Sequence, residues 1–241
     1  MDQPLLTLIF VLVNLLLIIG IYRMFGVVGL FVWIGFSTVI ANIQVVKTIE
    51  IFGFTATMGN LMYASTFLIT DIISEKYGKE TAKKAVWLGF FTLISMTLIM
   101  QLVLLFNPSE HDIAQDSLAT IFGFLPRIAL GSLLAYAVSQ RLDVTLFQVI
   151  RKFFPKDSQF WIRSKGSTLI SQFVDTLIFT SVAFLGANGY PADVWFEIFI
   201  TTYLLKVIVS IVDTPFLFWA KKIPSKQIII TPAKADLNEA G

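Results

Sequence analysis

The chain has 241 residues, of which 56% are hydrophobic and only 14% are charged, with a formal net charge of +2. A soluble domain carries about 25% charged residues, so a water-soluble globule is excluded. There is no cysteine and a single histidine, His111, which excludes disulfides, thiolate metal sites and a histidine-based metal centre.

Long uncharged runs alternate with short charged ones. The runs are continuous, so they predict helices and not the alternating strands of a barrel. A hydrocarbon core needs about 20 apolar residues per helix, and on that length the chain predicts seven spans. The first is Leu5–Tyr22 and the second Val27–Val46, bounded by Arg23 and Lys47. The third, near Phe54–Ile73, is more polar and contains Thr55, Thr57, Asn60 and Ser65. The fourth is Val86–Phe106. The fifth, Phe122–Gln140, is interrupted by Arg127, and the sixth, Ser167–Leu185, by Asp175. The seventh, Phe196–Ala220, holds Lys206 and Asp213. Six full spans with a peripheral first helix is the alternative. The start carries no basic segment with a small-residue cleavage site, so no removable signal peptide is expected.

The fold class expected is all-α: a polytopic transmembrane helical bundle over residues 1–223, followed by a polar, disordered tail over 224–241. Basic residues set its orientation. They gather in the loop after span three (Lys76, Lys79, Lys83, Lys84), after span five (Arg141, Arg151, Lys152, Lys156, Arg163, Lys165) and in the tail. The loop after span four carries Glu110, Asp112 and Asp116 instead. This alternation puts the tail in the cytoplasm and the N-terminus outside, with Lys47 as a weak exception. The stretch Asp143–Lys165 mixes Phe147, Phe153, Phe154, Phe160 and Trp161 with basic residues, which predicts a helix lying on the cytoplasmic surface.

A charge at mid-bilayer costs about 2.5–3.5 kcal/mol on insertion scales. Arg127 and Asp213 lie nearer span ends, where helix glue and function are equal readings. Asp175 and Lys206 lie nearer mid-span, where function is the better reading. Helical spacing aligns Ser171, Gln172 and Asp175 on span six, and Tyr203, Lys206, Ser210 and Asp213 on span seven. Tyr136, Gln140 and Asp143 align on span five; Tyr63, Phe67, Asp71 and Glu75 align on span three. Aromatics mixed with hydrogen-bonding groups on four helices predict a pocket for a polar, planar solute. Glu75 reads as the partner of Lys79, and Tyr77-Gly78 as a helix C-cap. No H-E-x-x-H, G-x-S-x-G or P-loop pattern is present, and His111 reads as a solvated loop residue. An enzyme is not expected, and no cofactor is implied.

The segments Gly59-Asn60-Leu61-Met62-Tyr63 and Thr70-Asp71-Ile72-Ile73-Ser74-Glu75-Lys76-Tyr77-Gly78 resemble the YhhQ-type queuosine-precursor transporters, also called the vitamin uptake transporter family. Ala41-Asn42 with Lys47, the stretch from Arg127 to Asp143, Ser167-Thr168 through Gln172-Phe173-Val174-Asp175-Thr176, and Tyr203-Leu204-Leu205-Lys206 extend the resemblance over Val32 to Ala220. No single motif is specific; their order and spacing together are. The resemblance implies import of 7-deazaguanine precursors of queuosine (preQ0, preQ1 or queuine) across a bacterial inner membrane. It also implies a six-helix core like the substrate-binding components of energy-coupling-factor transporters, with Leu5–Tyr22 as an extra N-terminal helix.

For a guanine-like edge, Asp175 is the expected acceptor of the paired donors, with Gln172 or Asn42 on the remaining edge. Tyr63, Phe67 and Tyr136 could stack on the ring. Lys206 could neutralise Asp175 in the empty pocket or bond the carbonyl. Asp71, Arg127 and Tyr203 complete the expected site. The partners expected are the small base and the bilayer, without nucleic acid; a homodimer and an energy-coupling partner both stay open. An ion channel, or a transporter of another small heterocycle or vitamin, is the alternative.

Overall fold

The computed structural model describes residues 3–156, 160–187 and 190–224. In chain order the elements are α1 (Gln3–Gln44), β1 (Thr48–Ile51), β2 (Phe54–Thr57), α2 (Met58–Ala64), α3 (Thr66–Tyr77), α4 (Lys79–Leu104), α5 (Gln115–Phe122), α6 (Leu125–Phe153), α7 (Phe160–Phe184), α8 (Ala192–Val212) and α9 (Thr214–Lys222). Among the described residues, five helical stretches are long and apolar enough to cross a bilayer: Gln3–Gln44, Lys79–Leu104, Gln115–Phe153, Gly166–Phe184 and Ala192–Lys222. The fold is thus an all-α polytopic bundle with one small hairpin.

Predicted spans one and two are the two halves of α1. Its 42 residues would measure about 63 Å as one rod, twice the hydrocarbon thickness. Gly26 breaks the rod at φ 61°, ψ −145°, a conformation open to glycine. A Cβ on Gly29 would stand 2.7 Å from the Ile21 carbonyl oxygen, whereas positions eight apart on a continuous helix stand about 12 Å apart. The chain therefore turns sharply here. Both halves bury their apolar faces, Val11, Leu15 and Ile18 from one and Leu30 and Ile34 from the other, in one core with Leu61, Leu68 and Ile72.

Predicted span three is not a single helix. Its first residues, Phe54–Thr57, pair antiparallel with Thr48–Ile51 through the turn residues Phe52 and Gly53, both at positive φ. The rest is split into α2 and α3 at Ser65. Thr57 caps α2 by accepting from the Asn60 amide, and Gly78 ends α3 at φ 88°, as the predicted cap requires. The hairpin is tied to α8: the Thr55 amide donates to Glu197, and Thr201 donates to the Thr55 carbonyl at 2.8 Å.

The predicted surface helix is also absent as a separate element. Asp143 to Phe153 continues α6, and Phe160 already belongs to α7; residues 157–159 lie outside the described residues. The physical reason is an antiparallel α6–α7 pair whose facing polar groups bond each other, described below. Of the predicted tail over 224–241, residues 225–241 lie outside the described residues. Glu75 pairs with Lys221 at 2.8 Å rather than with Lys79. Lys76 donates to the carbonyls of Ala220 and Ile223, so α9 is anchored on α3 at both residues.

Candidate functional site

A cavity of about 520 Å³ lies between α1, α2, α3, α4, α6, α7 and α8. That volume is ordinary for a small-molecule site, about 300–1,000 Å³. Of the residues expected from the sequence, Asp175, Gln172, Lys206, Asn42, Tyr63, Phe67, Asp71 and Tyr136 all line it.

At its centre, Lys206 Nζ from α8 reaches Asp175 Oδ2 on α7 at 2.7 Å. Their side chains are 8% and 21% exposed, so the pair is largely desolvated. Lys206 also donates to Thr176 Oγ1 at 3.1 Å, and Ser139 from α6 donates to Asp175 Oδ1 at 3.0 Å. A carboxylate offers about four lone-pair sites. Asp175 thus holds both partners and retains acceptor capacity on each oxygen.

Two amide oxygens add to this acceptor set. Asn42 Nδ2 donates to the Thr38 carbonyl at 2.7 Å, leaving Oδ1 buried without a donor among the described residues. Gln172 Oε1 is buried in the same state. An unsatisfied buried polar atom costs about 1–3 kcal/mol, so both oxygens favour a ligand that brings N–H groups. Aromatic pairs face the same space. Tyr63 and Phe67 meet edge-on at 6.2 Å, and Phe90 and Tyr136 at 4.8 Å.

The cavity has unlike ends. Asp71, Lys79, Lys83 and Gln140 line it and are exposed, whereas Asn42, Asn60, Val45 and Ile128 are buried. Val45 and Ile128 also belong to an apolar cluster with Ala183, Phe184 and Ile198. The exposed end is therefore the mouth, and the apolar cluster backs the other end.

Two expected residues stand outside the cavity wall. Arg127 donates from Nε to the Val182 carbonyl at 3.1 Å and from Nη2 to the Leu185 carbonyl at 2.9 Å. A cation on these last carbonyls suits the negative end of α7's dipole, so Arg127 is a helix cap. Arg127→Gln is expected to lower stability by about 1.5–3 kcal/mol, the worth of hydrogen bonds to a charged group, with ligand affinity unchanged; thermal unfolding beside equilibrium binding checks it. Tyr203 donates to the Leu169 carbonyl at 3.3 Å and meets the Phe173 ring edge-on at 5.4 Å. Both residues are drawn to α7: Tyr203 from the stripe that helical spacing predicts on span seven, and Arg127 from near the end of span five.

Sequence reasoning missed Asn60 as a wall residue. Its Nδ2 donates to Thr202 Oγ1 at 2.6 Å, joining α2 to α8. It also missed Ser139, because a lone serine carries no signal until its partner across the helix pair is known. Asp213 is buried at the break between α8 and α9, away from the cavity wall.

A multi-pass helical bundle holding a charged and aromatic cavity between its helices has the build of a membrane transporter for a small polar solute. The chain belongs to the putative vitamin uptake transporter family, whose sequence model matches residues 57–220. It is 56% identical over 214 residues to a Bacillus subtilis protein named a probable queuosine precursor transporter, covering 89% of this chain and 93% of that one. It is 31% identical over 175 residues to the Escherichia coli queuosine precursor transporter, covering 71% and 75%. A Haemophilus influenzae protein, named a probable queuosine precursor transporter, is 30% identical over 162 residues, covering 67% and 66%. No solved structure matches the chain.

Proposed function

We propose that this chain is an inner-membrane transporter that imports 7-deazaguanine precursors of queuosine, such as preQ0, preQ1 or queuine. The names of its relatives support the substrate class. The observation that carries the reading is the acceptor set of the cavity: the Asp175 carboxylate with the oxygens of Gln172 and Asn42, both without donors among the described residues. A deazaguanine presents a ring N–H beside an exocyclic amine. A carboxylate meets such a pair with two charge-assisted hydrogen bonds. Asn42 and Gln172 take further N–H groups, and Lys206 donates to the ring carbonyl. Tyr63, Phe67 and Tyr136 stack on the flat faces, as aromatic side chains do with free bases. Asp71 lies at the mouth. The chain acts as a carrier of this base, a reading that its family membership supports.

Direction follows from charge. Lys79 and Lys83 stand at the mouth, in the first turns of α4, among the basic residues between spans three and four that mark the cytoplasmic side. The cavity therefore opens inward, the tail is cytoplasmic, and the apolar cluster around Ile128 and Phe184 closes the outer side.

The test is uptake of labelled preQ1 by cells that lack their own uptake and synthesis of the base. Expression of this chain should restore saturable uptake. Competition resolves the edge: deazaguanines and guanine-like bases should compete, and adenine, which lacks the 2-amino group, should compete poorly. Equal competition by adenine would remove the donor-edge recognition.

A further inference from the structure

The segments Ser139-Gln140-Arg141-Leu142-Asp143 and Ser171-Gln172-Phe173-Val174-Asp175 share one pattern, Ser-Gln-x-x-Asp. One lies on α6 and the other on α7. They meet in the fold. Ser139 Oγ donates to Asp175 Oδ1 at 3.0 Å, and Ser171 Oγ donates to Asp143 Oδ1 at 3.1 Å. Each serine thus bonds the other segment's aspartate, as antiparallel helices allow, and a local two-fold axis relates the two segments. Both serines are buried, at 7% and 5% exposure.

The consequence lies in the cavity wall. Gln140 and Asp143 line the cavity, as do Gln172 and Asp175. The same amide and carboxylate, at the same helical spacing, are offered twice. A rise of 1.5 Å per residue puts Asp143 about 6 Å along α6 from Ser139, whose hydroxyl reaches Asp175. The two sets are not equally enclosed. Gln140 is exposed and shares the mouth with Lys79 and Lys83, whereas Gln172 is half-buried.

We propose that Gln140 and Asp143 form a second subsite for the guanine-like edge, taken up by the base between the Gln172–Asp175 subsite and the mouth. This rests on the transport function proposed above. Identical recognising groups accept the same donor pair, so the base moves between them without losing its carboxylate partner. Passage through a protein needs binding strong enough to admit the solute and sites weak or numerous enough to release it. A more hydrated copy of the inner subsite supplies the release step.

The test separates charge from structure. Asp143→Asn keeps an oxygen for the Ser171 hydroxyl and removes the charge. Ser171→Ala removes that bond and keeps the charge. Initial uptake of labelled preQ1 is measured in cells, and equilibrium binding of preQ1 on the purified full chain in lipid nanodiscs. Asp143→Asn should lower the uptake rate about tenfold or more while affinity shifts less than about threefold. Asp143→Glu should recover part of the rate, and Ser171→Ala should stay within about threefold of the parent. Unimpaired uptake by Asp143→Asn overturns the second subsite, as does equal loss in Ser171→Ala, which would make the pair structural. A parent chain that takes up no preQ1 overturns the transport reading and the subsite together; a competent parent with an unimpaired Asp143→Asn overturns the subsite alone.

Discussion

Asp175→Asn should abolish uptake and destabilise the protein, and adding Lys206→Met should restore stability without restoring uptake. The single change keeps the side chain's shape and an oxygen for Ser139, but leaves Lys206 without its 2.7 Å counter-charge. Removing one partner of a buried ion pair costs about 3–5 kcal/mol, whereas replacing both by apolar or neutral groups is often neutral or stabilising. Among the described residues Lys206 keeps the Thr176 hydroxyl, which cannot balance its charge. In the double variant no buried charge is stranded, so thermal unfolding in detergent should return close to the parent's. Uptake should not return, because the carboxylate that meets the donor edge is still missing. The opposite outcome, a double variant that transports normally, would make the pair helix glue and move recognition elsewhere in the cavity.

The central pair was legible in the sequence because the bilayer removes innocent explanations for charge. Asp175 and Lys206 sit near mid-span with helical neighbours at i and i+4, and the local period is enough to aim such stripes inward. Arg127, a charge near a span end, and Tyr203, an aromatic on the span-seven stripe, went elsewhere. The carbonyls of Val182 and Leu185 that hold Arg127 belong to another helix, and no local pattern announces them. The hairpin was hidden for a different reason. Its turn is Phe52-Gly53 rather than an Asn-Gly or Asp-Gly pair, and its apolar residues fit a span as well as a strand. The Ser-Gln-x-x-Asp repeat spans five residues, too few to carry an argument alone. Reciprocal hydrogen bonds turn it into geometry. Local periods thus gave the spans and the direction of the stripes, while helix partners and reversals depend on contacts distant in sequence.

Gly59→Ala should damage both folding and binding, whereas Gly35→Ala should do neither. A Cβ on Gly59 would stand 2.7 Å from Val45 Cα and 2.9 Å from Val45 N, against backbone that no rotamer change can move aside. At Gly35 the nearest atom would be Thr92 Oγ1 at 3.5 Å, ordinary van der Waals contact. Overpacking a close approach costs about 1–3 kcal/mol, and here relief requires α2 to shift away from the end of α1. That shift moves more than the packing. Asn60, the next residue, bridges to Thr202 at 2.6 Å, and Tyr63 on the same short helix forms part of the aromatic wall. The folded yield of Gly59→Ala should fall, and the protein that does fold should bind preQ1 more weakly. Measuring affinity on the folded fraction alone separates the two effects. Unchanged affinity there would mean that α2 is not part of the binding wall.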